Sequence, residues 1–360
     1  MKHVEVLIIG AGPAGLSAAD SLLEAGASVA IIDRSDRPGG QLTKQTHMFF
    51  GSQEHYASKR GIDILTILYD KVKHHPRLEM YTGTTVAGLY PDRVVACVQG
   101  DKYFTLQAKA IIVATGASEK SLPFENNDLP GVYAAGAVQT LMNVYGVKPG
   151  DRVLMVGSGN IGLIVTYQLM QAGVHVPMLV EAAETISGYL VHASKIKRLG
   201  VDLRMRTSVK RALGAKHVEG AQIWQLDDRW QGIPGTEETL DVDTICLAVG
   251  LSPLTELLQQ IGAEVTYINE LGGHVPRLNE RFETTIDGVF ACGDVAGIEE
   301  ASSAMIAGTI AGLEAALKCG YPIKDAEERR AALHTSLATL RSGPHGEKIR
   351  KGQAKLGVRP

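Results

Sequence analysis

Cysteine is scarce in this chain of 360 residues: there are four, Cys97, Cys246, Cys292 and Cys319, and no two form a C-x-x-C pair. The gaps between them are far too wide for a local zinc or iron–sulfur site, and isolated thiols of this kind suit a reducing compartment. A surplus of one charge is missing too. Thirty-six basic residues stand against 39 acidic ones, a net charge of −3, so no global positive field points to nucleic acid. No apolar run approaches the roughly 20 residues that cross a bilayer. The chain opens directly on a strand-like stretch, without the basic region, apolar core and cleavage site of an export signal. These absences predict a soluble cytoplasmic protein with no resident metal. The length suits two domains, each with a core of its own.

Glycine, by contrast, is abundant, with 40 residues, several of them at the ends of apolar runs. Residues 4–33 read V-E-V-L-I-I-G-A-G-P-A-G-L-S-A-A-D-S-L-L-E-A-G-A-S-V-A-I-I-D. The apolar run 6–9 ends at Gly10, and Gly10, Gly12 and Gly15 form G-x-G-x-x-G. A helical pattern follows, with Leu16, Ala19, Leu22 and Leu23 on one face, and the next apolar run ends at Asp33. Gly10 permits the tight turn out of a strand, Gly12 lets backbone amides approach a pyrophosphate, and Gly15 lets the helix pack close to the strand. The helix N terminus offers unpaired N–H groups and a partial positive charge to phosphate. Asp33 follows Gly12 by 21 positions, where a carboxylate can accept hydrogen bonds from a ribose diol.

The same unit is used again. Arg152–Val156 leads into Gly157, Gly159 and Gly162, a helix is predicted over 161–173, and a strand over 174–180 ends at Glu181. Gly157 lies 147 residues after Gly10. A downstream echo repeats as well: I-I-V-A-T-G at 111–116 and I-C-L-A-V-G at 245–250. The fold predicted is α/β, with two Rossmann-like dinucleotide-binding domains, the second inserted in the first. The expected boundaries are 1–118 and 251–324 for the first domain, 119–250 for the insert, and 325–360 for a C-terminal helix and basic tail. The last twenty residues hold six Lys or Arg against one Glu and read as a solvated tail, with docking on an acidic partner as the alternative. In the insert, Glu181 repels a 2′-phosphate and the following Ala182 and Ala183 supply no arginine to receive one, so NAD(H) is favoured over NADP(H).

Other stretches are less distinctive. Residues 78–89, 93–98, 103–109 and 110–114 read as strands, 301–318 as a helix rich in small residues, and His175 as a core or sheet-edge residue. The polar, irregular segment 43–60 carries His47, Phe49, Phe50, His55 and Tyr56. It reads equally as the lining of a substrate or partner surface and as an ordinary packed loop. His47, His55 and Tyr56 are the candidate acid–base groups.

With these motifs in place, the chain resembles the two-domain flavoproteins of the pyridine nucleotide–disulfide oxidoreductase class, from residue 4 to about 320. Gly10, Gly12, Pro13, Ala14 and Gly15 with Asp33 are similar to the FAD pyrophosphate and ribose site of that class. Ala114, Thr115 and Gly116 match its short motif beside FAD. T-T-I-D-G-V-F-A-C-G-D, ending in Gly293 and Asp294, matches its second FAD motif, whose acid holds the ribityl or pyrophosphate region. Gly157, Gly159, Asn160, Ile161 and Gly162 with Glu181 and Gly250 resemble the NAD(H) site. The resemblance further implies FAD contacts at Arg34, Gly40, Gln41 and Val86. It puts a helix N terminus, at Ala301 and Ser302, under the flavin pyrimidine ring, where its positive end stabilises charge on the reduced flavin.

One departure shapes the functional expectation. Thioredoxin reductases carry C-x-x-C just before the second fingerprint, but residues 131–140 contain no cysteine. Glutathione reductases keep a pair after the first fingerprint, and none stands there either. The resemblance therefore implies an FAD oxidoreductase that exchanges hydride with NAD(H) and is not a dithiol reductase. A-A-G-A-V-Q-T at 134–140 and G-G-Q-L-T-K-Q-T-H at 39–47 look more like the FAD/NAD subunits of heteromeric amine and amino-acid dehydrogenases of the opine, proline, sarcosine and hydrogen cyanide synthase type. That likeness implies a partner subunit or a homo-oligomer, with a small-molecule or protein electron acceptor. The cysteine-rich [2Fe–2S] segment of some members is missing, so any such cluster belongs on a partner chain. A third reading is a structural or electron-conduit subunit whose second fingerprint is intact and unused.

Overall fold

The computed structural model describes residues 1–344 and 346–357; position 345 and the end of the predicted basic tail, 358–360, lie outside the described residues. The chain divides into two compact units, one of Met1–Thr43, Met48–Ser118 and Leu251–Pro360, the other of Lys44–His47 and Glu119–Gly250.

The first unit begins with β1 (Lys2–Ile9), α1 (Pro13–Glu24), β2 (Val29–Ile32), α2 (Gly61–Val72), β3 (Leu78–Tyr81), β4 (Thr85–Tyr90), β5 (Val94–Gln99), β6 (Lys102–Val113) and β7 (Ala117–Glu119). The second unit contains β8 (Val132–Ala134), α3 (Ala135–Asn143), β9 (Arg152–Val156), α4 (Asn160–Gln171), β10 (His175–Val180), α5 (Leu190–Arg198), β11 (Asp202–Arg204), β12 (Thr207–Leu213), β13 (Gly220–Gln225), β14 (Glu238–Leu240) and β15 (Thr244–Leu247). The chain then returns to the first unit with β16 (Leu251–Pro253), α6 (Glu256–Gln260), β17 (Val265–Ile268), β18 (Gly273–Pro276), β19 (Val289–Ala291), α7 (Ala301–Lys318), α8 (Ala326–Leu340) and α9 (Glu347–Lys355).

The first unit is built on a seven-stranded sheet in the order β3-β2-β1-β6-β5-β4, with β19 also paired to β6. β1 lies parallel to β2 and to β6, placing Ile9 beside Ile32 and Val113. Leu7 and Ile8 are fully buried, as a strand covered on both faces requires. The two strands expected over 103–109 and 110–114 are one strand, β6. Its first half pairs antiparallel with β5 and its last three residues pair parallel with β19, so the pattern changes where the neighbour changes, without a break in the backbone.

α1 and α7 pack at backbone contact. A Cβ on Gly308 would lie 2.1 Å from the Ala14 carbonyl oxygen, and one on Gly312 would lie 2.4 Å from that of Ala18. Around these notches Leu16, Ala18, Leu22, Ala304, Ala307 and Ala311 form one buried cluster. α8 docks on α7 through Leu337 with Ile306 and Ile310, and through a buried Arg330–Glu314 pair at 2.5 Å. The expected solvated tail is instead largely helical as α9: Ile349 and Leu356 pack on Ile268, Leu271 and Val275. The two apolar residues stand two turns apart on one face, a spacing that the count of charges in the tail obscured.

The second unit repeats the plan with a five-stranded parallel sheet, β11-β10-β9-β15-β8, and adds an antiparallel β12-β13-β14 sheet. In both sheets the chain steps outward over three strands and then crosses to the other side of the first. The ends of β1 and β6, and of β9 and β15, are therefore topological switch points, where open α/β sheets bind ligands. Lys44–His47 belongs to this second unit. The Asn143 amide donates to the Lys44 carbonyl at 2.7 Å, Lys44 Nζ to the Gly136 carbonyl at 3.0 Å, and Gln168 Nε2 to Thr46 Oγ1 at 2.8 Å. His175 is neither core nor sheet edge; it is exposed at the start of β10, a strand with neighbours on both sides. Among the described residues no helix is long and apolar enough to cross a membrane, and no three His, Cys, Asp or Glu side chains group as a metal ion would need.

Candidate functional site

In the first unit, the apolar strands end together and their turns converge. Gly10 N donates to Ile32 O at 2.8 Å and Ala114 N to Ile9 O at 2.8 Å, joining the ends of β1, β2 and β6. Gly10 has φ +110°, and a Cβ there would lie 2.3 Å from Ala114 O; one on Gly15 would lie 1.9 Å from Gly10 O. The fold itself demands these two glycines. Gly12 is different. Its φ is −76°, open to any residue, and a Cβ there would meet only the Gly40 Cα, at 3.9 Å. Nothing in the protein requires glycine at this point, so the room in front of the α1 N terminus fits a group from outside, such as a pyrophosphate.

Around that room, Asp33 Oδ2 accepts from Ala11 N at 2.7 Å and Oδ1 from Ser35 N at 2.8 Å. Gly39 N donates to Ala11 O at 2.7 Å, which brings Gly40 over the turn, with Gln41 and Arg34 exposed beside it. Thr84 N bonds Asp33 O at 2.9 Å, two residues before Val86, which packs against the cluster that includes Ile32. Thr115 Oγ1 donates to Leu254 O at 2.9 Å. A Cβ on Gly293 would lie 2.9 Å from the Ala14 Cβ, so Asp294 and the α7 N terminus, Ala301 and Ser302, stand beside the first turn. Burial pushes the Asp294 carboxyl up to about 6; the Glu299 N–H that donates to it works against this, and the Glu299 charge adds to the rise.

The second unit makes the same construction from different residues. Gly157 N donates to Val180 O at 2.8 Å and Ala248 N to Val156 O at 2.7 Å. A Cβ on Gly157 would lie 2.3 Å from Ala248 O and one on Gly162 2.1 Å from Gly157 O, whereas one on Gly159 would meet only Ser187 Oγ, at 4.0 Å. Again the outer glycines serve the fold and the middle one serves no contact within the chain. Glu181 accepts from Ser158 N at 2.7 Å, Ser158 Oγ at 2.6 Å and Ala183 N at 2.9 Å. Asn160 Oδ1 accepts from Tyr189 N at 2.8 Å, Ile161 is partly exposed, and Gly250 O accepts from Lys120 N at 2.9 Å. Ser158 and the turn at 187–189 were not singled out in the sequence. A signal was there: G-Y-L at 188–190 repeats G-Q-L at 40–42, each seven positions after the strand-end acid.

The three acid–base candidates fall in different units, His47 in the second and His55 and Tyr56 in the first. His47 lies in the second unit, where burial, with the nearby His192 charge, holds its imidazole down at about 4. His55 is clasped between Ser52 Oγ at 2.7 Å and Ser336 Oγ of α8 at 3.2 Å. Tyr56, at φ +62°, packs against the core of the first unit. The four cysteines are unpaired. Burial pushes Cys97 up to about 11 and Cys292 up to about 12, and raises Cys246 and Cys319 as well, so none is held as a reactive thiolate.

Comparison with known proteins agrees with this architecture. Residues 4–308 match the family model described as pyridine nucleotide-disulphide oxidoreductase. An opine oxidase subunit of Agrobacterium tumefaciens is 26% identical over 327 residues, 86% of this chain; the chain spans only 65% of that relative's length. Hydrogen cyanide synthase subunit HcnB of Pseudomonas protegens is 26% identical over 353 residues, 93% of this chain and 75% of that one. Among solved structures, T. acidophilum thioredoxin reductase shares the fold with a TM-score of 0.73 at 24% identity, over 88% of this chain and 99% of that chain.

Proposed function

The chain belongs to the pyridine nucleotide-disulphide oxidoreductase family, and on that premise we propose that it is an FAD-dependent oxidoreductase of the reducing cytoplasm that exchanges hydride with NAD(H) rather than electrons with a dithiol. The observation that carries this reading is the pair of middle glycines, Gly12 and Gly159, each facing room that the protein leaves open. When bound, the flavin supplies reversible hydride and electron transfer.

The protein's own part is binding and electrostatics. In the first unit the amides at the α1 N terminus would meet a pyrophosphate, Asp33 a ribose diol, and Asp294 the ribityl or pyrophosphate region. The α7 N terminus would favour the negative charge of a reduced ring. In the second unit Glu181, already held by three donors, would take ribose hydroxyls and repel a 2′-phosphate, giving NADH its preference over NADPH. Holding the two rings in a fixed orientation would lower the barrier of such a transfer, and the raised thiols offer no competing route. The test is anaerobic mixing of the flavin-loaded protein with NADH. Loss of the oxidised-flavin absorbance supports the reading, and an absorbance that never bleaches overturns it.

A second reading is specific to the relatives, which are named as subunits of an oxidase and a synthase. By that likeness the chain would be the flavin subunit of a heteromeric amine or amino-acid dehydrogenase, with its substrate oxidised on a partner chain or near His47. Isolation from the native cells as a lone homo-oligomer would count against it.

A further inference from the structure

The family match ends at residue 308, so α8, α9 and the segment joining them lie beyond it. That segment carries Arg341. Its Nε and Nη2 donate to the two carboxylate oxygens of Glu299 at 2.9 and 2.6 Å, and the side chains are only 17% and 14% exposed. Such a fork-to-carboxylate pair is among the stronger charge-assisted contacts. Both partners are held. Gln353 of α9, with its amide oriented to satisfy both groups, accepts from Arg341 Nη1 and Nη2 at 2.7 and 3.0 Å. Arg350 of α9 donates to the carbonyls of Arg341 and Gly343. On the other side, Ile298 N donates to Leu271 O at 3.0 Å, and Leu271 is the residue on which Gly352 of α9 rests.

Glu299 occupies a sensitive place. Its backbone amide and its charge act on the Asp294 carboxyl in opposite senses, and it stands two residues before the first residue of α7. Two carboxylates, Glu299 and Glu300, thus precede a helix N terminus whose positive end is its contribution to the site. An uncompensated carboxylate there, screened little in a half-buried setting, would cancel much of that potential.

We propose that Arg341 is an electrostatic positioning residue for the flavin site: by neutralising Glu299 it keeps the α7 N terminus positive toward the bound ring and so eases flavin reduction. The C-terminal extension is then a device for setting flavin potential as well as a packed appendage. This rests on the FAD reading above.

The experiment uses the full-length, FAD-loaded protein, equilibrated anaerobically with a reference dye of known potential, with flavin retention and thermal stability measured in parallel. Arg341→Gln is expected to lower the reduced-to-oxidised flavin ratio about tenfold at a fixed dye poise, about 30 mV for a two-electron couple. Glu299→Gln shifts it the opposite way, the double variant returns close to wild type, and Arg341→Lys keeps most of the wild-type ratio. A merely structural pair would lower thermal stability in both single variants without opposite shifts in the ratio, and that result overturns the proposal. Should Arg341→Gln fail to fold, Glu299→Gln decides alone: an unmoved ratio is equally fatal. A wild-type protein that takes up no FAD would instead overturn the cofactor reading from which the proposal starts.

Discussion

The two glycine turns of this chain offer a controlled comparison, because the same backbone plan is finished with different materials. In the first, Pro13 follows the middle glycine, the facing turn is tied back by Gly39 N to Ala11 O, and the wall behind is two helices interlocked at Gly308 and Gly312. In the second, Asn160 follows, and the facing turn is tied by polar contacts: Gly188 N to Ser158 O at 2.9 Å, Ser187 N to Ser158 Oγ at 3.1 Å, and Tyr189 N to Asn160 Oδ1 at 2.8 Å. Interlocked backbones cannot rearrange without losing packing. Hydrogen bonds exchange with water or ligand at a small net cost. The first turn suits a group that stays, and the second suits one that comes and goes.

The harshest test of that contrast is Gly308→Leu. Its Cβ would start 2.1 Å from Ala14 O, and overpacking of this kind costs typically about 1–3 kcal/mol or more. A large fall in melting temperature with loss of bound flavin is expected; an unchanged melt would mean that α1 and α7 are not in backbone contact. Next come the middle glycines. Neither Gly12→Ala nor Gly159→Ala meets a clash in the protein, so both should melt near wild type. Gly12→Ala should weaken FAD binding about tenfold or more, roughly 1.4 kcal/mol, while Gly159→Ala weakens NADH binding by a similar factor and keeps FAD. Titration calorimetry with each ligand reads this, and equal loss of FAD from both variants would dissolve the distinction between the turns.

A smaller effect is expected from Glu181→Gln, which removes the charge that disfavours a 2′-phosphate. The NADH-to-NADPH affinity ratio should fall several-fold, with FAD content unchanged. Smallest is Asn160→Ala, which deletes one acceptor for Tyr189 N. The cost is about 1 kcal/mol, visible as faster amide exchange confined to 187–190 and absent from the first turn.

Much of the fold could be read in the residues because its signals are local. Strand, glycine and helix follow one another within about 30 residues in each βαβ unit, and α7 begins and ends at the residues its pattern indicated. What escaped was non-local. β6 changes partners midway, which periodicity cannot reveal. α9 is a helix because Leu271, far away in the chain, gives Ile349 and Leu356 something to cover. At the candidate site, the glycines and acids stood out because each type has few physical uses there. Ser158 and the 187–189 turn did not, since a serine beside a glycine turn is ordinary until the carboxylate it meets is known. The same holds for Arg341 and Glu299, which lie 42 positions apart.

The assignment of Lys44–His47 to the second unit has a practical side. Four residues encoded well before the rest of that unit supply partners for Asn143, Gln168 and the Gly136 carbonyl. A gene fragment covering 119–250 alone would make a product that lacks the partners of the Asn143 and Gln168 amide N–H groups, and it should be less soluble unless the tetrapeptide were grafted back. The sequence interval of the inserted module is therefore not the same as the module that folds.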